Sequence, residues 1–298
     1  EDFISACHVL FNIHYDQGHN SMAYNVIERA LAYEDSVDNP LLNARSHHYL
    51  GRYLVRARNY TLASKNFSSA LHTYEKFCDT SNISAVYRDL VRSYNISYNY
   101  DSAFISLNRC FYLDSHPYNP HAMAENYAHW GNMFLSSFKS DLVNFKLPFL
   151  DSAKVYFDRA VAINSTLEPS NINVDEITSA GYAEYYYFKA FFGTSDPKVR
   201  HSLSDSALVY FDKADPFITI ADDYNRKIKF NVVKLRILIS QNRIARARHF
   251  ADSICHIAEM DSCDYVASVI SHRIRSLIQE YDGDAKGALK SIRTSERY

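Results

Sequence analysis

The sequence predicts an all-α protein, a solenoid of about seven antiparallel helix hairpins. Three observations predict it. A motif of Ala, three residues, a large apolar residue, two residues and a small residue recurs along the chain. Its leading alanines are separated by 40, 40, 50, 54, 40 and 41 residues. Only 7 Gly and 7 Pro occur in 298 residues, too few for a strand-rich protein with many tight turns and in keeping with long uninterrupted helices.

The motif reads Ala23-Ile27-Ala30-Leu31, Ala63-Phe67-Ala70-Leu71, Ala103-Leu107-Cys110-Phe111, Ala153-Phe157-Ala160-Val161 and Ala207-Phe211-Ala214. Weaker copies follow at Ala247-Ala251-Ile254 and Ala288-Ile292. Positions i, i+4, i+7 and i+8 share one face of an α-helix. Small residues at two of them let a neighbouring helix approach closely, and the large one fills the space between units. A large apolar residue stands three positions ahead of the Ala at Tyr60, Tyr100, Leu150 and Ile244. Asp-Ser precedes it at Asp101-Ser102, Asp151-Ser152 and Asp205-Ser206, suited to a first helical turn with free N–H groups.

A partner helix lies upstream of each copy. It carries Leu50-Gly51-x2-Leu54, Tyr87-x2-Leu90-Val91-x2-Tyr94 and Tyr127-x2-Trp130-Gly131-x2-Phe134. Together the two helices resemble the tetratricopeptide consensus W-x2-L-G-x2-Y…A-x3-F…A, strongly in the second to fourth units and weakly in the last two. The resemblance implies a right-handed superhelix. The period near 40 departs from the usual 34 and implies longer helices or loops. The units expected are approximately 1–40, 41–80, 81–120, 121–172, 173–221, 222–262 and 263–298 of a single repeat domain. Two are enlarged, and the extra residues are expected between paired helices, at Ser136–Pro148 and Gly193–Ser204, emerging on one edge of the solenoid.

Composition narrows the function classes. Hydrophobic residues make up 47% and charged residues 22%, as in an ordered globular protein. A formal net charge of -2 gives no electrostatic footprint for nucleic acid. The run Tyr182-Ala183-Glu184-Tyr185-Tyr186-Tyr187-Phe188 has Lys189 as its one nearby cation and reads as packing, not base stacking. No apolar run spans a bilayer; Val232–Ile239 is broken by Lys234 and Arg236. Compartment stays open between cytoplasm and periplasm.

There is no H-E-x-x-H, C-x-x-C, G-x-S-x-G, phosphate-binding glycine loop or EF-hand, so no catalytic residue and no cofactor is assigned. His47 and His48 are adjacent on a helix, about 100° apart, and cannot share a metal. His249, His256 and Cys263 are spaced by seven near Glu259, but Met260-Asp261-Ser262 looks like a helix end that turns Cys263 away. No metal site is assigned. Cys7, Cys78, Cys110 and Cys255 read as small packing residues, Cys110 at a repeat Ala position.

In tetratricopeptide proteins the first helix of each unit lines the concave groove. The resemblance places His8 and Asn12 there in the first unit, and Arg45, His48, Arg52, Val55 and Arg56 in the second. Arg88, Arg92 and Asn95 follow in the third, and Ala128 and Asn132 in the fourth. Arg52 and Arg92 are equivalent, as are His48 and Arg88. Guanidinium groups hold carboxylates in bidentate fashion, so the expected ligand is a protein or peptide with an acidic segment or free C-terminus. The competing reading is a solvated basic face with local acidic partners such as Asp89. Some members clamp a terminal carboxylate with Lys and Asn; His8-x3-Asn12 echoes this in part, and the other clamp positions do not match.

The Asp-Ser-Ala helix starts, long units and abundant Tyr resemble the repeat domains of bacterial signalling regulators. That resemblance implies a non-catalytic sensing or interaction domain followed, past Tyr298, by a membrane segment and an output domain. A periplasmic location would then fit. The alternative is a stand-alone adaptor assembling an envelope or secretion complex. A carbohydrate-associated outer-membrane binding protein is disfavoured because the large non-repeat inserts are missing.

Overall fold

The structure, a computed structural model, describes residues 1–140, 147–220, 224–260 and 265–296, without the side chains of 140, 218–220, 224–229, 253–260, 265–271, 295 and 296. These residues form fourteen α-helices and no β-strand. The helices are α1 (Asp2–Asp16), α2 (Asn20–Leu31), α3 (Pro40–Arg56), α4 (Tyr60–Lys76), α5 (Thr80–Ile96), α6 (Tyr100–Asp114) and α7 (Pro120–Ser140). They continue with α8 (Leu147–Asn164), α9 (Ile172–Phe192), α10 (Pro197–Ile220), α11 (Tyr224–Ser240), α12 (Ile244–Met260), α13 (Tyr265–Tyr281) and α14 (Ala285–Glu296). The chain divides into two compact units, Glu1–Tyr185 and Tyr186–Tyr298.

Regular caps produce the regular helices. Asn39, Asn59, Asp79, Asn99 and Asn119, each 20 residues after the last, accept a hydrogen bond from the backbone N–H three residues on. Each satisfies an otherwise orphaned donor in the first turn. The preceding helix closes just ahead of the cap. Arg58, Cys78 and Tyr98 adopt positive φ of 61°, 55° and 60°, and paired backbone bonds such as Asn59 N–H to Leu54 C=O (2.8 Å) and Arg58 N–H to Val55 C=O (3.0 Å) finish the helix.

In the first unit, α1–α2, α3–α4, α5–α6 and α7–α8 pair as hairpins, and α1, α3, α5 and α7 also touch in succession, forming an inner row. The motif residues of the second helices supply the core. Ala23, Ile27, Ala30, Ala63, Phe67, Ala70, Ala103, Leu107, Cys110, Ala153, Phe157 and Ala160 are all fully buried. Burial pushes the Cys110 thiol up to about 12, the behaviour of a packing residue. The glycines of the first helices leave room for the aromatic wedges. A Cβ on Gly51 would stand 2.6 Å from the Phe67 ring, and on Gly131 it would stand 2.4 Å from the Phe157 ring.

The second unit repeats the plan. Ala207, Phe211, Ala214, Ala247, Ala251 and Ala288 are buried, with Phe211 edge-on to Phe230 of α11. Lys234 is buried there and bonds to Asp212 (2.5 Å) and Asp215 (3.0 Å) of α10. Ile254, Cys255, His256, Glu259 and Cys263 fall outside the described side chains.

The enlarged units differ from expectation. Helix α7 continues through Ser140 and α10 starts at Pro197, so Ser136–Ser140 and Pro197–Ser204 are helical; 141–146, outside the described residues, lie between α7 and α8 in sequence, and 193–196 between α9 and α10. Phe138 is fully buried, which the continued helix makes possible, and Ser137 Oγ donates back to the Met133 carbonyl at 2.9 Å within it. Pro197 sits at a helix start, where its missing N–H costs nothing, and Asp196 accepts from the Lys198 N–H. The extra length went mainly into helix: 21 residues in α7 and α9 and 24 in α10, against 17 in α3 and α5.

Candidate functional site: the inner row of the first unit

The caps set the phase of α3, α5 and α7, and α1 packs beside α3; together they carry a row of polar side chains. His8 is buried, its Nε2 2.8 Å from Ser46 Oγ, while its Nδ1 is buried without a partner. Burial first, and the Arg45 charge second, hold its pKa at about 4, so the ring is neutral. Asn12 Nδ2 donates to the Tyr49 hydroxyl (3.0 Å), and its Oδ1 accepts from Arg52 (3.1 Å). Both residues that echo the carboxylate clamp are thus engaged within the protein.

The arginines divide by how they are held. Arg52 lies over the Tyr15 ring at 4.6 Å, with its Nε 3.8 Å from Asp89. Arg56 stacks on the same ring at 3.5 Å, donates to the Tyr15 carbonyl (2.5 Å) and reaches Asn20 (3.2 Å). His48 is buried and its Nε2 lies 2.8 Å from Asp89 Oδ2. Burial alone would raise the pKa of Asp89; the His48 hydrogen bond and the charges of Arg52 and Arg92 outweigh it and hold the carboxyl well below the usual range.

Arg88 is the most deeply committed. It donates to Ser84 Oγ (2.9 Å) and Asp114 Oδ2 (2.7 Å), and its Nε pairs with Glu125 Oε2 (3.0 Å). Asp114, buried at the end of α6, also accepts from Ser84 (2.6 Å) and Asn126 (2.8 Å). Glu125 Oε1 accepts from Asn171 (3.0 Å) and Asn173 (2.8 Å), and Asn164 pins that loop by accepting from Asn171 N–H (2.7 Å). Despite its burial, Glu125 is kept ionised by Arg88 and these amides. The node ties α5, α6, α7 and the start of α9 into one polar spine.

Four members differ. Arg45 is exposed and biases His8 and Tyr74 electrostatically. Arg92 makes no hydrogen bond or ion pair among the described residues. Burial would lower its pKa, but Asp89, Tyr15, Glu176 and Glu125 outweigh that and raise it. Asn132, its equivalent on α7, also makes no hydrogen bond among the described residues, and Asn95 Oδ1 is buried without a donor. Val55 and Ala128 are buried packing residues.

The hairpin order, inner row and wedge packing place the chain among known folds. The structure superposes on a tetratricopeptide repeat protein from Parabacteroides merdae with a TM-score of 0.51, covering 100% of this chain and 93% of that one at 14% identity. The chain has the tetratricopeptide repeat fold. Another similar structure, from a functional characterisation of Pseudomonas aeruginosa pilF, gives a TM-score of 0.48 at 13% identity, over 95% of this chain and 98% of that one. No protein-family model matches the sequence, and no curated protein matches it significantly.

Within this tetratricopeptide fold, sequence reasoning named polar residues of α1, α3, α5 and α7 but missed most of the groups that neutralise them. Asp114, Glu125, Asn126, Asn171 and Asn173 had no spacing signal, because they lie on a second helix, off the consensus positions, or in a loop. Arg52, Arg88 and Arg92 lie among Asp89, Asp114, Glu125 and Glu176, so these positions do not form an uncompensated basic patch. Among the described residues no helix is long and apolar enough to cross a membrane, and no group of three or more His, Cys, Asp or Glu side chains is placed to hold a metal ion.

Proposed function

We propose that the chain is a non-catalytic protein- or peptide-binding scaffold, with the inner row α1, α3, α5 and α7 as its binding face. One observation carries this reading. The equivalent positions Asn12, Arg52, Arg92 and Asn132 are all polar, while the second helices and their alanines already fill the core. Polar side chains repeated in register along one face suit an extended polypeptide laid across successive helices. Because Arg52, Arg56 and Arg88 have partners inside the protein, an acidic ligand would engage Arg92 and Arg45 first.

The test is to pan a random dodecapeptide library on the protein and map the tightest peptide by hydrogen–deuterium exchange. Added protection in α3, α5 and α7 is the expected result. Protection confined to α4 and α6 would overturn the reading. The finer assignment, a sensing domain of a bacterial signalling regulator, is supported by the Asp-Ser-Ala helix starts and the abundant tyrosines. It predicts a membrane helix and an output domain after Tyr298 in the full-length gene, and a stop codon there would sink it.

A further inference from the structure

The outer faces of two neighbouring second helices carry a pattern that the fold itself does not require. Asp101, Ile105 and Arg109 on α6 and Asp151, Val155 and Arg159 on α8 stand at equivalent places relative to the motif alanines Ala103 and Ala153. Spaced by four, an acid, a β-branched residue and a base lie within about 40° of one line along a helix. Ile105 is 69% exposed and Val155 48%, on helices whose opposite faces fill the core. The same places on α4 hold Thr61, Lys65 and Ser69, so the pattern is not part of the repeat. In the second unit α10 has Asp205, Val209 and Lys213, but Asp205 is already paired with Arg243 at 2.8 Å. Asp101 and Arg109, by contrast, are exposed and make no hydrogen bond or ion pair among the described residues. Tyr98 and Tyr112, both exposed, stand seven residues to either side of Ile105.

We infer that a second copy of this chain docks on this face, α6 antiparallel to the partner's α6 about a two-fold axis at Ile105. In such a pair, residues equally far to either side of the axis meet. Asp101 then lies against the partner's Arg109, Arg109 against the partner's Asp101, and Ile105 against its own copy. The exposed tyrosines match in the same way, Tyr98 with the partner's Tyr112. A parallel pair would set Asp on Asp and Arg on Arg, which the like charges oppose. The α8 residues hold the same register, so an axis lying across the two helices passes Val155 as well and brings α8 onto the partner's α8. Between them the floor is aromatic: Phe104 stands edge-on to Trp130 of α7 (5.4 Å), and Trp130 stacks on Tyr156 of α8 (5.6 Å). Tyr, Trp, Phe and Arg around an aliphatic centre are the composition of an interface core. A cavity of about 380 Å³ bounded by Ser152, Val155, Tyr156 and Arg159 gives the α8 face relief for an apolar side chain of the partner. The inner row is left open, so this inference stands apart from the binding-face reading.

Sedimentation velocity on the whole chain, over roughly a 100-fold concentration range into the high micromolar, should show a monomer–dimer equilibrium. Ile105→Asp, Asp101→Arg and Arg109→Asp alter exposed side chains only, so circular dichroism should be unchanged. Each should weaken the dimer at least about 10-fold, because each places like charges or a bare carboxylate at the axis. The decisive step is to mix the two charge variants. Asp101→Arg and Arg109→Asp, each monomeric alone, should recover a heterodimer, since Arg then meets Asp at both contacts. The double variant Asp101→Arg/Arg109→Asp should recover the homodimer. Val209→Asp, at the matching place in the second unit, should leave the dimer intact. A parent chain that stays monomeric throughout overturns the inference. So does a dimer that Ile105→Asp leaves unweakened, or one that Val209→Asp weakens equally. Failure of both the mixture and the double variant to recover association overturns the antiparallel two-fold.

Discussion

Replacing Gly181 by Ala should destabilise the first unit, although Ala is the better helix former. Gly181 lies within α9, where removing a glycine is normally worth about 1 kcal/mol in favour of folding. Here a Cβ would stand 2.2 Å from Phe157 Cζ and 2.6 and 2.7 Å from its two ε carbons. Ordinary carbon contacts lie at about 3.5 Å or more, so the ring would have to retreat by roughly 1.3 Å. It has nowhere to go. Phe157 is fully buried, and on its α7 side a Cβ at Gly131 would already be 2.4 Å from the same ring. Overpacking of this kind costs about 1–3 kcal/mol. Set against the helix gain, the net loss is on the order of 1 kcal/mol, and more if α7 and α9 must separate. Urea unfolding followed by circular dichroism gives the midpoint. The mechanism also predicts coupling: Phe157→Leu, costly alone, should be milder in the Gly181→Ala background by about 1 kcal/mol. A Gly181→Ala variant as stable as the parent, or strictly additive effects, would refute the argument.

Three further outcomes follow from the polar network and the caps. Asp114→Ala leaves Arg88 and Ser84 without their shared acceptor and should cost about 3 kcal/mol in urea unfolding, whereas Arg92→Gln, which breaks no hydrogen bond, should cost under about 1 kcal/mol; equal losses would contradict the division drawn between the two arginines. His8 and His129 are held neutral at about 4 against the usual 6.5, so the unfolded chain takes up protons first as the pH falls. Stability is therefore fully present above about pH 6.5 and is lost between 6.5 and 4, by up to about 1.4 kcal/mol per pH unit for each ring. Asp89 and Glu125, held below the ordinary carboxylate range, contribute their losses at lower pH, so His8→Gln should flatten the thermal midpoint profile within this window, and parallel profiles would count against the assignment. Cys78 is exposed with φ of 55°, a left-handed conformation that costs a residue with a Cβ about 1 kcal/mol. Cys78→Gly should raise the unfolding midpoint and the β-branched Cys78→Val should lower it.

The architecture was legible because packing between repeats leaves a periodic trace. Each wedge such as Phe67 needs a small residue facing it, and Gly51 and Ala63 stand at fixed offsets from it for that reason. A second periodicity was equally present and went unread. The caps Asn39, Asn59, Asp79, Asn99 and Asn119 recur at half the repeat, and they mark the starts of α3 to α7 more directly than the alanines do. The enlarged units misled because added residues were assigned to loops, when Phe138 needed a helix to reach the core and Pro197 was compatible with starting one.

The inner row was legible only in part, for a different reason. Consensus spacing says which residues face inward, and it named Arg52, Arg88 and Arg92 alike. It does not say which inward residues are already satisfied. That depends on Asp114 from a second helix, on Asn171 from a loop and on Asn173 at the start of α9, whose positions are set by the lengths of α6 and α8 and not by the repeat. An apparent basic patch thus resolves into two populations: arginines that hold the repeats together, and Arg92, whose guanidinium makes no hydrogen bond or ion pair among the described residues. In a repeat protein of this fold, the difference between equivalent side chains thus lies in what the non-repeating residues leave unpaired.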